Sequence, residues 1–115
     1  MKRAFLLVPL LVAVASPAHA TGAMTCQTAG PKPVTVALVI GHTTGSPLVS
    51  ERMRESGKSV QVRAIQWWFD SSDLRLLLVD AQAAEVTIKA KRNGRNYDGT
   101  MVRFGRSRWV RCRES

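Results

Sequence analysis

The sequence predicts an all-β protein, a small antiparallel barrel or barrel-like sandwich of six to eight strands with one disulfide and at most one short helix. Three observations predict this class. Short β-branched or alternating apolar segments follow one another, separated by Gly, Pro, Asn or Asp clusters typical of turns. No long segment has the apolar period of an amphipathic helix. The two cysteines lie near opposite ends of the chain, so a bond between them would bring the first and last strands together.

The N-terminus predicts export. Met1-Lys2-Arg3 is basic, residues 4–15 are apolar, and Ala18-His19-Ala20 places small residues at the −3 and −1 positions of a cleavage site. This pattern is typical of a secretory signal peptide at residues 1–20, followed by a single β domain at residues 21–115. The apolar run is short for a membrane span. We therefore expect no transmembrane segment after cleavage, and a periplasmic or secreted mature protein.

The predicted disulfide joins Cys26 to Cys112, both of which lie in the mature domain. Two cysteines in a small exported domain most often pair with each other. The bond would close a loop of about 85 residues, and chain entropy gives such a closure a value of about 4 to 5 kcal/mol. The sequence lacks the short Cys-x-x-Cys spacing that would favour a metal-binding thiol instead.

The first mature strand is expected at residues 23–29 and the second at residues 34–40. Residues 30–33 separate them, because their two prolines remove backbone donors and fix φ. Residues 41–57 have two alternatives, a loop or a short helix at residues 46–55. The helix is favoured by a Ser-Pro pair at its start and a glycine just past its end.

A β-hairpin is predicted next, with strands at residues 59–69 and 74–80 around the polar loop Asp70–Asp73. Folding the two arms together gives four cross-strand pairs: Phe69 with Leu74, Trp67 with Leu76, Ile65 with Leu78, and Arg63 with Asp80. The tryptophan pair breaks strict alternation, so a bulge is expected there.

A second hairpin is predicted around Asn93-Gly94, because both central residues of a type I′ turn need positive φ. The register that follows places residues of strand 85–91 opposite the next strand: Ala90 with Tyr97, Lys89 with Asp98, Thr87 with Thr100, and Val86 with Met101. Strict alternation would then point Val102 and Phe104 outwards, unless a bulge at Gly99 changes the phase. The last strand is expected at residues 109–113, with Val110 and Cys112 on one face.

Candidate catalytic groups are few. The mature chain has one histidine, His42, in a Gly/Thr-rich segment. Nucleophilic catalysis needs a base positioned by a third group, and a metal site needs further His or Cys ligands. Asp70 and Asp73 are best explained as carboxylates that accept hydrogen bonds from turn amides. The sequence therefore predicts a non-enzymatic protein with no cofactor and no metal.

The charge predicts an anionic partner. Without Lys2 and Arg3, fifteen basic residues face eight acidic ones, a formal charge of +7. Nine basic residues lie between positions 89 and 113 against the single acid Asp98. Arginines interleaved with aromatics are typical of a surface that binds lipopolysaccharide phosphates, acidic glycans or nucleic acid. The candidate binding residues are Arg103, Trp109, Arg111 and Arg113, with Arg108 on the opposite face. The alternative is a solvated charged face.

A protein partner is the second possibility, motivated by the outer face of the first hairpin. That face carries Trp68 beside Arg75, followed by Leu77 and Val79. Exposed tryptophan with arginine is typical of the residues that dominate protein–protein binding energy. A contiguous positive face would favour the anionic ligand, and a dry apolar patch centred on tryptophan would favour the protein partner.

The mature chain resembles small exported bacterial β proteins of uncharacterised function and, more distantly, the barrel-shaped periplasmic inhibitors of c-type lysozyme. The resembling features are the early Cys26, the late Cys112 and the stretch Gly94-Arg95-Asn96-Tyr97-Asp98-Gly99. The inhibitors have a Ser-Gly-x-x-Tyr pattern whose serine helps to plug the lysozyme cleft, and Asn93 stands at that position here. The resemblance implies a barrel fold and an inhibitory function, and no site residue is carried over from it.

Overall fold

The computed structural model describes residues 22–41 and 48–114. Over these ranges the chain forms nine strands and no helix. In chain order, the strands are β1 (Gly22–Thr28), β2 (Val34–Ile40), β3 (Leu48–Glu55), β4 (Lys58–Val60), β5 (Val62–Phe69), β6 (Asp73–Asp80), β7 (Glu85–Asn93), β8 (Asn96–Arg103) and β9 (Arg106–Glu114). The described part of the chain contains no helix long and apolar enough to cross a membrane. The predicted signal peptide, His42 and the Ser46-Pro47 pair lie outside the described residues.

The strands form one antiparallel sheet, in the order β4-β3-β2-β1-β9-β8-β7-β6-β5, which curls into a nearly closed barrel. Its two edge strands, β4 and β5, are consecutive in the chain with only Gln61 between them. β4 pairs with β3 and β5 pairs with β6, so one continuous segment joins both edges. Beyond this corner the Glu51 carboxylate accepts a hydrogen bond of 2.9 Å from the Ala64 amide, linking β3 to β5. The predicted all-β barrel is confirmed, with slightly more strands than expected.

The helix expected at residues 46–55 is wrong, because Leu48–Glu55 is a strand paired with β2. The register between β2 and β3 shifts at Val49, which is an exposed extra residue in β3. Because of this bulge, the sequence of β3 does not show the two-residue alternation of a regular strand. The glycine expected to end the helix, Gly57, instead forms a two-residue turn with Ser56. Their φ values of 85° and 52° are those of a type I′ turn.

The core lies inside the barrel and contains the predicted disulfide, which is confirmed and joins two neighbouring strands. Cys26 and Cys112 stand directly opposite each other on β1 and β9, are fully buried, and are 86 positions apart in sequence. The other buried apolar side chains come from β1 to β3 and β6 to β9: Met24, Val34, Val36, Leu38, Met53, Leu74, Leu76, Leu78, Val86, Ile88, Ala90, Tyr97, Met101 and Val110.

The first predicted hairpin is confirmed near its loop and wrong further along. Phe69 pairs with Leu74 and Trp67 with Leu76, as expected. Ile65 is an extra residue at a bulge, two positions before the tryptophan pair, and it is largely exposed. Beyond this bulge each residue of β5 faces a partner displaced by one position. The predicted pairs Ile65 with Leu78 and Arg63 with Asp80 are therefore absent.

The second predicted turn is displaced by one residue. Asn93 pairs with Asn96, so the two loop residues are Gly94 and Arg95. Of these only Gly94 has positive φ, at 66°, which is the type II′ pattern and not type I′. Each residue of β7 consequently faces a partner two positions later than predicted. A shift of two leaves every side chain on its predicted face.

Gly99 explains this register. It stands opposite Ala90 on β7, with Val110 on its other side. A Cβ atom at Gly99 would collide with the carbonyl oxygen of Lys89, so a side chain does not fit where the two backbones approach. No bulge occurs at Gly99, and the alternation of β8 continues unchanged to Arg103.

Candidate functional site

The candidate site is the outer face of strands β5 to β9. Side chains that stand opposite each other on neighbouring strands form rows across a sheet. One row crosses these five strands and contains Trp68, Arg75, Lys89, Thr100 and Trp109, which we call the tryptophan row. Its two indoles are four strand spacings apart, roughly 19 Å along the sheet. Two cationic side chains lie between them.

The indole of Trp68 is exposed and held in place. Its Nε1–H donates a hydrogen bond of 2.9 Å to Oδ2 of Asp70. The other oxygen of Asp70 accepts from the backbone N–H groups of Asp73 and Ser72, at 2.7 and 2.8 Å. These bonds, led by that from Asp73, lower the pKa of Asp70 to about 2. Asp70 therefore stabilises the turn and also orients Trp68.

Trp109, at the other end of the row, is packed by Arg111. The guanidinium carbon lies 5.3 Å from the centre of the indole. Nε and Nη2 of Arg111 donate to the two carboxylate oxygens of Asp98, at 2.7 and 2.9 Å. This pairing is the main reason that the pKa of Asp98 falls to about 2 and that the pKa of Arg111 rises. The charge of Arg111 is thus compensated within the protein, and its side chain supports Trp109.

Trp109, Arg111 and Arg113 lie together on the outer face, as the regular last strand predicts. They line a groove of about 440 Å³ between β9 and β1. The opposite wall of the groove carries the polar side chains of Thr25 and Gln27. Arg113 is exposed and forms no ion pair within 4.0 Å among the described residues. It is the cation of this groove that remains available to a ligand.

Arg103 does not belong to this face, and its expected place in the basic patch is wrong. Its side chain points into the end of the barrel and is only 8% exposed. The guanidinium donates two hydrogen bonds to Glu55, at 2.8 and 3.0 Å, and one of 2.9 Å to Asp80. The physical reason is the unbroken alternation of β8 past Gly99, which puts position 103 on the same face as Met101.

The buried ion cluster of Arg103, Glu55 and Asp80 joins β8, β3 and β6. Asp80 also accepts hydrogen bonds from the backbone N–H groups of Ala84 and Gln82. The bond from Ala84, followed by that from Arg103, lowers the pKa of Asp80, while Glu55 raises that of Arg103. Among the described residues no buried side-chain polar atom lacks a hydrogen-bond partner, so Arg103 is fully occupied at this end of the barrel. With one guanidinium against two carboxylates, the cluster offers no free cation to an anionic ligand.

Four of the nine basic residues between positions 89 and 113 bind groups of the protein itself: Arg92, Arg103, Arg108 and Arg111. Arg108, on the face opposite Trp109, donates to the carbonyl oxygens of Ala29, Pro31 and Lys32 and so holds that loop. Five others are exposed and form no ion pair within the described ranges: Lys89, Lys91, Arg95, Arg106 and Arg113.

A second groove, of about 680 Å³, lies beside Trp68 on the outer face of β5 to β7. Arg75, Leu77 and Lys89 line it together with Trp68. Leu77 and Val79 are half-buried, so this face is an aromatic and basic surface with one apolar strip.

The structure joins two candidate surfaces that the sequence leaves separate. Trp68 and Arg75 belong to the same row as Trp109, through Lys89 and Thr100. Lys89 was missed as a residue of the site, because its position between the two tryptophans depends on three consecutive strand registers. The alternation of strand β7 correctly placed it outwards.

Comparison with known protein families, curated proteins and solved structures gives no match for this chain. The resemblance to lysozyme inhibitors stays a prediction. In the stretch that carries it, Tyr97 is buried and donates a hydrogen bond of 2.7 Å to the backbone oxygen of Asp70. Among residues 22–41 and 48–114, no three His, Cys, Asp or Glu side chains are grouped to hold a metal ion.

Proposed function

We propose that the mature domain is an exported, non-enzymatic binding module for an anionic envelope component, such as lipopolysaccharide phosphates, an acidic glycan or nucleic acid. The observation that carries this proposal is the tryptophan row, in which two exposed indoles flank Arg75 and Lys89 along a line that crosses five of the nine strands and so curves around the barrel. Lys91 and Arg113 extend the positive charge beside the row.

The two residue types make different contributions to such binding. Exposed cations release counterions when they meet the charges of a polymer, so affinity falls with salt. Indole faces stack on flat rings, and for single-stranded nucleic acid each stacked base contributes about 1 to 3 kcal/mol. A long, flexible ligand that follows the row around the outside of the barrel would meet aromatic contacts at both ends of the row and charge in the middle.

A protein partner is the second candidate, as in the lysozyme-inhibitor alternative. The observation that favours it is the groove beside Trp68, where half-buried Leu77 adds apolar surface to an exposed indole and Arg75.

The experiment is elution from heparin and from immobilised lipopolysaccharide over a salt gradient. The test variant is Arg75→Gln with Lys89→Gln, and the matched control is Arg52→Gln with Arg95→Gln, which removes two equally exposed charges from β3 and from the turn between β7 and β8. We expect the test variant to elute at lower salt, with the dependence of log affinity on log salt reduced by about 1.5 to 2 for two lost contacts. The control should elute close to the parent.

Equal shifts in the two variants would mean that retention depends on net charge alone. The proposed binding face would then be wrong, and the protein-partner alternative would take its place. Circular dichroism of both variants checks that the fold is kept, because all four side chains are exposed.

A further inference from the structure

A separate feature lies at the end of the barrel, in the turn between β8 and β9. Arg103 pairs with Arg106, which leaves Phe104 and Gly105 as a two-residue loop. Their φ values are 51° and 73°, so this is a type I′ turn. Such turns favour Asn or Gly at both positions, because a bulky side chain is disfavoured at positive φ. A phenylalanine there is a strained choice for the fold.

Phe104 is also 68% exposed, more than any other large apolar residue in the described part of the chain. Its ring packs against Arg103, whose guanidinium carbon lies 4.1 Å from the ring centre. Despite this contact, most of the residue's surface is exposed to water. An aromatic residue that is both strained and exposed is better explained by a binding role than by folding.

Basic side chains surround this aromatic tip. A cavity of about 730 Å³ beside Phe104 is lined by Lys32 and Arg106, both exposed and without an ion pair in the described ranges. Lys58 follows the turn formed by Ser56 and Gly57. This turn lies at the same end of the barrel as Phe104, where the Ser56 amide donates a hydrogen bond to the Pro33 carbonyl.

Acidic groups at this end compensate part of that charge. Glu55 and Asp80 both bind Arg103, and Glu85, at the start of β7, is exposed. Two further cations lie here, because Arg54 donates to the Gly57 carbonyl and Arg108 lines the same cavity. Among the described residues named for this end of the barrel, six cations therefore stand against three acids, a formal charge of +3.

We propose that this tip docks the protein on an anionic lipid surface, with Phe104 entering the headgroup region and Lys32, Lys58 and Arg106 contacting lipid phosphates. An exposed apolar residue with a basic rim is the pattern that binds reversibly at a membrane interface, where burial and charge attraction add. The tryptophan row lies on the side of the barrel and is not part of this contact, so the proposal is independent of the proposed function.

The test is co-sedimentation with phosphatidylcholine vesicles that contain phosphatidylglycerol, against vesicles of phosphatidylcholine alone, at low salt. The parent should sediment with the anionic vesicles only. Phe104→Asn places a residue that suits the turn, so the fold is kept while the apolar contact is lost. We expect its partition to fall by roughly fivefold or more, because the buried aromatic area is removed. Phe104→Trp should retain binding.

Two controls separate the possible outcomes. Val49→Ser removes an exposed apolar side chain from the start of β3, and Arg52→Gln with Arg95→Gln removes two exposed charges that belong neither to the tip nor to the tryptophan row. Both control variants should bind the anionic vesicles as the parent does. The proposal is overturned if the parent ignores the anionic vesicles, if Phe104→Asn binds equally well, or if either control variant loses binding to the same extent as Phe104→Asn.

Discussion

Arg103 holds Glu55 across the inside of the barrel by two hydrogen bonds of 2.8 and 3.0 Å, and so connects β8 to β3, 48 positions earlier in the chain. The same guanidinium binds Asp80 of β6. One side chain therefore ties three strands that are not neighbours in the sheet. Because it is buried, removing it would leave two carboxylates without their cation.

We expect Arg103→Met to lower the free energy of unfolding by about 3 kcal/mol or more, the usual result of removing one partner from a buried ion pair. Urea denaturation measures this. The control is Arg106→Met, an exposed cross-strand neighbour, which should change stability by less than about 0.5 kcal/mol. Similar stabilities for the two variants would contradict the assigned role of Arg103.

Acid should weaken the fold through Asp98. Its pKa in the folded protein is about 2, below the ordinary 3.8 of an unfolded chain, because Arg111 and Asn93 donate to the ionised carboxylate. This stabilisation is fully present above the unfolded pKa and is lost as the pH falls from about 4 through 2. The melting temperature of Asp98→Asn should therefore fall less than that of the parent over this interval. Parallel curves would mean that the pairing contributes nothing.

The disulfide should contribute a large part of the stability. Alkylation of denatured, unreduced mature protein should add no label, because both cysteines are bonded. Changing Cys26 and Cys112 together to alanine should reduce the free energy of unfolding by about 4 kcal/mol, since the bond closes a very long loop. Labelling of both cysteines before reduction would show that the bond is absent in solution.

Two glycines should differ in their tolerance of alanine. Gly94 has positive φ and open space around it, so Gly94→Ala should cost about 1 kcal/mol. At Gly99 a Cβ meets the backbone of Lys89 and Ala90, so Gly99→Ala should cost about 2 kcal/mol or more. Chemical denaturation of the two variants compares these costs. If Gly94→Ala cost more than Gly99→Ala, the assigned close approach of β7 and β8 at Gly99 would be wrong.

Stacking and charge should be separable in the proposed binding. Trp109→Leu removes an indole without changing any charge, so it should weaken retention on the anionic polymer at every salt concentration and leave the salt slope unchanged. Phe104→Asn, at the end of the barrel, is the control and should be retained like the parent. A changed slope in the Trp109 variant would indicate that the indole acts by positioning the neighbouring cation Arg113.

Local patterns predicted those parts of the fold that depend on neighbours in sequence. Val34–Ile40 was predicted with its observed bounds, and the polar loop after Phe69 fixed the nearest pairs of its hairpin. In β3, by contrast, the extra residue Val49 interrupts alternation, and a Ser-Pro start with a following glycine imitates helix boundaries.

The candidate site depended on information that one strand does not contain. Whether Arg103 points inwards is decided by the phase of β8, and this phase depends on the backbone contact at Gly99. The sequence placed Trp68 and Trp109 outwards, and both are exposed. The two tryptophans stand at the two ends of one row, and this follows only from the four strand registers that join β5 to β9.

The bond between Cys26 and Cys112 makes the described chain a covalent ring with short ends, because it joins the first strand to the last. Every turn between these strands, such as that at Ser56 and Gly57, is a segment of this ring. One cut by a protease in any such turn opens the ring without dividing the molecule. Two fragments separate only when the disulfide is also reduced, so a protein nicked once keeps all nine strands in one covalent piece.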